Sequence, residues 1–204
     1  SDFSKCSSQG SGGAIHAEEL FTPGGAMRSS IEISSSSFSD CQAQTSGGAI
    51  FAKGFSEVSI SHSSFHATRS GTDGGAVAVE GSKLQVAHSH FERCCAGVSG
   101  GAVSGGEYAH AAGMEASSIS ISTSLFQGCG ARVDGGCLRT TSGAFDAIGC
   151  TFRASRAGGK GGAASISGGA SSSCASSNPT SQEQPTVSFV ECVFERNNAS
   201  GLGG

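Results

Sequence analysis

Tryptophan is absent from this 204-residue chain, and tyrosine occurs only once. These residues build most of the aromatic surfaces on which sugar rings or nucleic-acid bases stack, so little such surface is available here. Charged residues make up only 14% of the chain, the net charge is −4, and no basic stripe is visible along the sequence. The composition therefore argues against a nucleic-acid-binding protein.

Long apolar runs are also missing. No stretch approaches the roughly 18 consecutive apolar residues that a transmembrane helix needs, and no apolar pattern at helical spacing is sustained. We therefore predict no direct insertion into a membrane. No secretion signal is visible, but the chain starts and stops inside the repeat described next, so we expect it to be a fragment of a longer protein.

Glycine is abundant, with 33 residues, and many of these glycines belong to a repeated pattern of fixed spacing, here called the frame. Phenylalanine is followed seven times by a Gly-Gly pair at the ninth and tenth positions. The phenylalanines and first glycines are Phe3/Gly12, Phe38/Gly47, Phe65/Gly74, Phe91/Gly100, Phe126/Gly135, Phe152/Gly161 and Phe194/Gly203. This gap never varies, whereas successive phenylalanines lie 26 to 42 residues apart. The basic repeat is therefore 26 residues, and insertions fall between Gly-Gly and the next Phe.

Apolar residues alternate on both sides of this frame. The residues seven and five positions before Phe are apolar, as in Ile31 and Ile33. In most repeats the residues 12 and 14 positions after Phe are apolar too, as in Ile50 and Ala52. A spacing of two in branched residues is typical of strands with one buried face. Each repeat is predicted to hold three strands: one after Gly-Gly, one ending about four residues before Phe, and one around Phe.

Strands this short bury their apolar faces only if each pairs with its counterpart in the next repeat. We therefore predict an all-β fold: a right-handed parallel β-helix of about seven coils, with three short strands per coil and loop insertions at one corner. Residues 1–204 form a single domain of this kind. Phenylalanines should stack along the axis, and Gly-Gly should permit a positive φ and a close approach between coils.

Six of the nine cysteines recur at equivalent positions of consecutive repeats. The stacked pairs are Cys6 with Cys41, Cys94 with Cys129, and Cys150 with Cys192. They are explained either by a ladder of small buried thiols or by at least one disulfide, involving Cys174 or the adjacent Cys94 and Cys95. A high cysteine count suggests an oxidising compartment, and no spacing typical of a zinc site is present.

Residues able to support catalysis are sparse. Asp73 and Asp134 share the eighth position after Phe but lie two coils, about 10 Å, apart, which favours solvated turn residues over a catalytic pair. The densest ionisable group is His62, His66, His88, His90 and Glu92. A stacked His62–His88 pair could hold a metal or sense pH, but most such pairs are merely polar surface, and we favour that explanation here. We predict no catalytic, cofactor or metal site.

Candidate contact surfaces lie on the outside of the predicted rod. Outward positions turn apolar in the last coils, at Ile148 and Val190, so we expect either a partner or the insertion Ser167–Pro185 to pack there. The insertions His16–Arg28, Gly106–Ala116 and Ser167–Pro185 are further candidates for partner contact. Neighbouring coils or subunits should cover the open ends.

The repeated motifs resemble those of a known family. "GGAI" at residues 12–15 and 47–50, "GGAV" at 74–77 and 100–103, and "FERN" at 194–197 resemble the paired GGA[ILV] and FxxN motifs of chlamydial polymorphic membrane proteins. Those proteins are autotransporter passengers, and similar repeats occur in other bacterial and algal surface proteins. The resemblance implies a right-handed parallel β-helix, export to the cell surface, and a role in adhesion or as a scaffold.

These observations together predict a non-enzymatic extracellular or cell-surface scaffold that presents corner loops on a rigid rod. The alternatives are a carbohydrate-active enzyme of the pectate-lyase-like β-helix class and a subunit that stacks end to end into a filament or lattice. We expect no cofactor and no nucleic-acid partner.

Overall fold

The structure of the chain is a computed structural model. It describes residues 1–18, 30–54, 57–110, 113–141, 143–167 and 186–201, with the backbone alone for residues 108–110 and 113–115. The described residues contain no helix; they form short β-strands arranged in four parallel sheets, with one additional hairpin strand. Each coil of the chain contributes one strand to each sheet in turn.

The four sheets are named here by their position in the repeat. The Phe sheet contains Asp2–Ser4, Ser37–Ser39, Ser64–His66, His90–Glu92, Leu125–Gln127, Thr151–Arg153 and Val193–Glu195. The short sheet contains Ser7–Ser8, Gln42–Ala43, Arg69–Ser70, Cys95–Ala96, Gly130–Ala131, Arg156–Ala157 and Asn198–Ala199. The post-glycine sheet contains Ile15–Glu18, Ile50–Lys53, Val77–Glu80, Val103–His110, Leu138–Thr140 and Ala164–Ile166. The aliphatic sheet contains Ser30–Ser34, Glu57–Ser61, Lys83–Ala87, Ser118–Ser122, Phe145–Ile148 and Val187–Val190.

Every strand of these sheets pairs in parallel with its counterpart in the adjacent coil. In the Phe sheet, for example, Phe91 lies in register with Phe65 on one side and Phe126 on the other. The structure thus confirms the parallel β-helix and the three predicted strands per coil. The short sheet is an addition, because its two-residue strands are too brief to show an alternating pattern.

The phenylalanines of the frame form one continuous stack inside the solenoid. Ring centroids of successive coils lie 4.7 to 5.0 Å apart, and the ring planes differ by at most 17°. The five central rings are fully buried: Phe38, Phe65, Phe91, Phe126 and Phe152. Burying each ring contributes roughly 2–3 kcal/mol, so this stack is a main source of the rod's stability.

The Gly-Gly pairs have the two functions predicted for them. The first glycine of each described pair is left-handed, with φ between 62° and 66°. The second packs against the next coil: a Cβ placed on Gly48 would overlap the carbonyl oxygen of Gly75. An alanine at either position would therefore either strain the backbone or push two coils apart.

A buried serine ladder, which the sequence analysis missed, follows the turn into the Phe sheet. It consists of the residues two before Phe: Ser36, Ser63, Ser89 and Ser124. The Oγ of Ser63 accepts a hydrogen bond from the backbone N–H of Ser36 at 3.1 Å and donates one to the carbonyl of Ser61 at 2.8 Å. The same pattern repeats at Ser89 and Ser124, so these three hydroxyls each join two coils. The sequence signal was serine at this position in the first five repeats, from Ser1 onward.

Candidate functional site

The third residue after each Phe forms a second buried ladder, here called the third-position column. It consists of Cys6, Cys41, Thr68, Cys94, Cys129, Ser155 and Asn197. Asn197 donates from Nδ2 to the carbonyl of Phe152 at 2.8 Å, and its Oδ1 accepts from the backbone N–H of Ser155 at 3.0 Å. In the cysteine coils the thiol takes over the donor role: Cys94 Sγ donates to the carbonyl of Phe65 at 3.6 Å. The thiols therefore occupy the structural place of the asparagine in FxxN.

All eight described cysteines are free thiols. This confirms the thiol ladder for those residues, and the alternative of a bond between Cys94 and Cys95 is wrong because Cys94 points into the core while Cys95 is exposed. Cys174 lies outside the described residues. Burial raises the pKa of Cys41 to about 11, and burial also raises the pKa of Cys94 well above its ordinary value. These thiols are therefore neutral hydrogen-bond donors at pH 7, not nucleophiles.

Asp73 and Asp134 each cap the next Gly-Gly turn instead of lying free in solvent. Asp73 Oδ1 accepts from the backbone N–H of Ser99 at 3.1 Å, and Asp134 Oδ1 accepts from that of Lys160 at 2.8 Å. Arg139 lies between them, 2.9 Å from Ser99 Oγ and 3.7 Å from Asp134 Oδ2. The prediction of solvated turn residues needs this correction: both side chains are partly buried and hold the backbone.

A second partly buried carboxyl group lies near Asp73. Burial raises the pKa of Glu80, an effect that the charge on Lys53 opposes and the charges on Asp73 and Glu18 reinforce. Burial likewise raises the pKa of Asp73, against the Ser99 hydrogen bond and the Arg139 charge. The outer surface of the post-glycine sheet thus carries interacting charges. On it, Lys53 forms an ion pair with Glu18, and Arg139 forms one with Asp134.

The histidines divide into separate small contacts. His62 and His88 stack as predicted, with ring centroids 4.9 Å apart. His66 contacts Glu92 instead, with 3.3 Å between Nδ1 and Oε2. Within the described part of the chain, no group of three or more His, Cys, Asp or Glu side chains could hold a metal ion. The histidine pair is thus a surface contact with no further ligands beside it.

The apolar outer patch lies where the sequence placed it. Ile148 and Val190 are register partners in the aliphatic sheet, and 49% and 45% of their surfaces are exposed. Val193 of the Phe sheet extends the patch and is 46% exposed. Ile148, Val190 and Val193 are therefore each about half exposed to solvent. The insertion that could fold onto them, residues 168–185, lies outside the described residues.

Along the chain, the insertions fall between a strand of the post-glycine sheet and one of the aliphatic sheet, at the one corner predicted. In the fourth coil the strand Val103–His110 runs on beyond the sheet and returns as Gly113–Ala116, its antiparallel partner. Of His16–Arg28 only the first three residues are described, and of Ser167–Pro185 only Ser167.

Among the described residues, nothing covers the far side of the last coil. Inward-facing Phe189 and Phe194 are 38% and 48% exposed there, and a cavity of about 410 Å³ lies between them and the glycines of the preceding Gly-Gly turn. This surface is the interior of the solenoid, and Arg196 and Asn197 also line the cavity.

Across the described ranges, no helix is both long and apolar enough to cross a membrane. Comparison of the chain with family models, with curated proteins and with solved structures finds no match.

Proposed function

We propose that this chain is a segment of an extracellular or cell-surface rod that acts as a structural or adhesive scaffold and catalyses no reaction. The observation that carries the proposal is the unbroken register of four sheets around one stack of phenylalanines. That arrangement uses nearly every repeated residue to hold one coil on the next. The outward-facing side chains and the insertions are the main features that differ from one coil to the next.

The partly buried polar groups support this reading, because their hydrogen bonds serve the backbone. Ser63 of the serine ladder, Cys94 of the third-position column and the carboxylates of Asp73 and Asp134, for example, each bond to a main-chain group of an adjacent coil. In a β-helical glycosidase or lyase, clustered carboxylates would instead have to face a substrate. The resemblance to surface-exposed passengers points in the same direction.

The surfaces available to a partner are the corner hairpin of the fourth coil and the apolar outer patch of Ile148, Val190 and Val193. The first can vary without disturbing the ladders, because it leaves the rod between two sheets. The second is apolar on a face that is otherwise rich in serine. Further coils or subunits would cover the open last coil.

Incubation with polygalacturonate separates this proposal from the enzymatic alternative. The wild-type chain should produce neither new reducing ends nor unsaturated uronate products above a no-protein control. Product formation that is lost in the double variant Asp73→Asn/Glu80→Gln would overturn the proposal and assign catalysis to these two carboxyl groups, whose pKa values are raised by burial. A particle length that grows with protein concentration in small-angle scattering would instead support the filament alternative.

A further inference from the structure

The turn between the Phe sheet and the short sheet gathers positive charge that is scattered along the sequence. We define the arginine corner as the residues from the first to the sixth position after Phe in the third to seventh coils, 66–71, 92–97, 127–132, 153–158 and 195–200. Its arginines are Arg69, Arg93, Arg132, Arg153, Arg156 and Arg196. Only two glutamates, Glu92 and Glu195, accompany them. The rest of the chain has six basic residues against fourteen acidic ones, so this corner is basic on an otherwise acidic rod.

These arginines are exposed, and most have no carboxylate partner. All six have exposed side chains. Arg93 contacts Glu92 at 3.7 Å and Arg153 donates to Gln127 Oε1 at 2.6 Å. The other four form no ion pair with another described residue: Arg69, Arg132, Arg156 and Arg196. By contrast, Lys53, Lys83 and Arg139 on other faces each pair with a carboxylate. Outside the corner, Lys5 and Lys160 also form no ion pair with another described residue, so the unneutralised charge is concentrated at this corner.

Parallel pairing sets the spacing of these groups. Arg69, Cys95, Gly130, Arg156 and Asn198 follow one another in register along the outer side of the short sheet. At roughly 4.8 Å per coil, the arginine corner extends about 19 Å along the rod axis. A surface depression of about 590 Å³ at its last three coils is lined by Arg153 and Arg196 together with Gln127, Ala154 and Glu195. The six arginines occupy the first, second, fourth and sixth positions after Phe, and Arg69 and Arg156 on one register line are three coils apart. The corner thus presents a strip of guanidinium groups along the rod axis.

We propose that the arginine corner binds a linear polysaccharide that carries sulfate or carboxylate groups, lying along the rod axis. Guanidinium groups bind both anions through paired hydrogen bonds, which a lysine ammonium cannot do. A glycan of this kind repeats its charge at intervals close to one or two coils, so several arginines can engage it at once. The chain's shortage of Trp and Tyr excludes recognition through sugar stacking but leaves recognition through charge intact.

A polysaccharide fits this corner better than a nucleic acid does. Proteins that bind single strands place aromatic side chains beside the basic groups. Among the described residues, the exposed large aromatics are Phe189 and Phe194, which belong to the open interior of the last coil and not to the corner. The proposal rests on the scaffold function above, since it adds a partner to a rod that does not degrade it.

The test measures binding of heparin and of polygalacturonate by isothermal titration at several salt concentrations, with neutral dextran and a DNA duplex as competing probes. The wild-type chain should bind at least one of the two charged polysaccharides and not dextran, with affinity that falls as salt rises. The variant Arg69→Gln/Arg156→Gln should bind about tenfold or more weakly, and the slope of log affinity against log salt should fall by roughly one for each arginine.

The matched control is Lys53→Gln/Lys83→Gln, which removes the same charge from two other faces. It should bind within about twofold of wild type, and Arg69→Gln/Arg156→Gln should keep the wild-type melting temperature because both arginine side chains are exposed. Equal losses in the two variants, tighter binding of the DNA duplex, or no binding of either charged polysaccharide at low salt would overturn the proposal. Degradation of polygalacturonate would instead contradict the scaffold function. The reaction products would therefore distinguish a failure of the scaffold proposal from a failure of the binding proposal.

Discussion

At the scale of single residues, this protein repeatedly uses small polar side chains to join one coil to the next. Serine hydroxyls do so before Phe65, Phe91 and Phe126, and thiols or an asparagine amide do so after several of the phenylalanines. The thiol is a weaker donor than the amide, but it is small and apolar enough to fit beside the phenylalanine stack. Packing and a modest hydrogen bond therefore explain why cysteine occurs in the third-position column, and no reaction at sulfur is needed.

Thiol labelling tests this account with two adjacent residues. In the native protein, an aromatic disulfide reagent should label Cys95 rapidly, because its side chain is exposed, whereas Cys94 should react only on unfolding. The variant Cys95→Ser should therefore lose one fast-reacting thiol, and the neighbouring variant Cys94→Ser should lose none. Equal reaction rates at the two positions, or a thiol count that rises after reduction, would contradict a ladder of buried free thiols.

Asp73 gives a prediction about pH. Its pKa is raised above the ordinary value, mainly by burial, so its ionised form costs the folded state free energy at neutral pH. This cost is absent below the pKa of the unfolded state, where the carboxyl is protonated in both states. Asp73→Asn keeps an oxygen for the Ser99 N–H and should raise the melting temperature at pH 7, with no difference at about pH 2.5. A lower melting temperature at pH 7 would show that the charge stabilises the fold.

At the scale of strands and turns, the frame of Phe and Gly-Gly determines where each element begins and ends. The backbone turns through left-handed residues three before and two after Phe, such as His62 and Ala67, with φ of 48° and 52°. Apart from glycines at a few of these positions, the sequence does not mark them, because their conformation is imposed by the strands on either side. The insertions are attached where they interrupt none of these turns.

Removing the fourth-coil hairpin tests that independence. Deletion of residues 107–115 combined with Ala116→Gly recreates the direct link of the third coil, Glu80-Gly81-Ser82, in which Gly81 has a φ of 57°. The shortened protein should fold, and its free energy of unfolding should change by no more than about 1 kcal/mol. Calorimetric melting measures this. A control deletion of equal length, residues 118–126, removes an aliphatic strand and Phe126 and should abolish folding; similar behaviour of the two deletions would contradict the account.

Much of the fold could be predicted because its signals are periodic. Invariant spacing located Phe126 and Gly135, and alternation located strands such as Ser118–Ser122. The short sheet could not be predicted, since two residues show no period. The arginine corner was missed for a different reason: Arg69 and Arg156 are 87 positions apart in sequence, and only stacking of the intervening coils brings them onto one line.

At the scale of the whole molecule, the rod has a uniform interior and a differentiated exterior. One stack of rings runs through it, while the outside carries an arginine corner, a post-glycine sheet of matched charges and an apolar patch near the last coils. A rod that keeps its core constant can vary these surfaces independently, which suits adhesion and scaffolding better than a single active site.

Contacts among the phenylalanine rings test the central claim most directly. In a sample with isotopically labelled Phe, nuclear Overhauser effects should connect the ring protons of Phe65 to those of Phe91, and those of Phe91 to those of Phe126, because the centroids lie 4.7 Å apart. No direct contact should join Phe65 to Phe126. Rings that show no contacts in this order, or contacts that skip a coil, would contradict the stacked solenoid and with it the proposed scaffold.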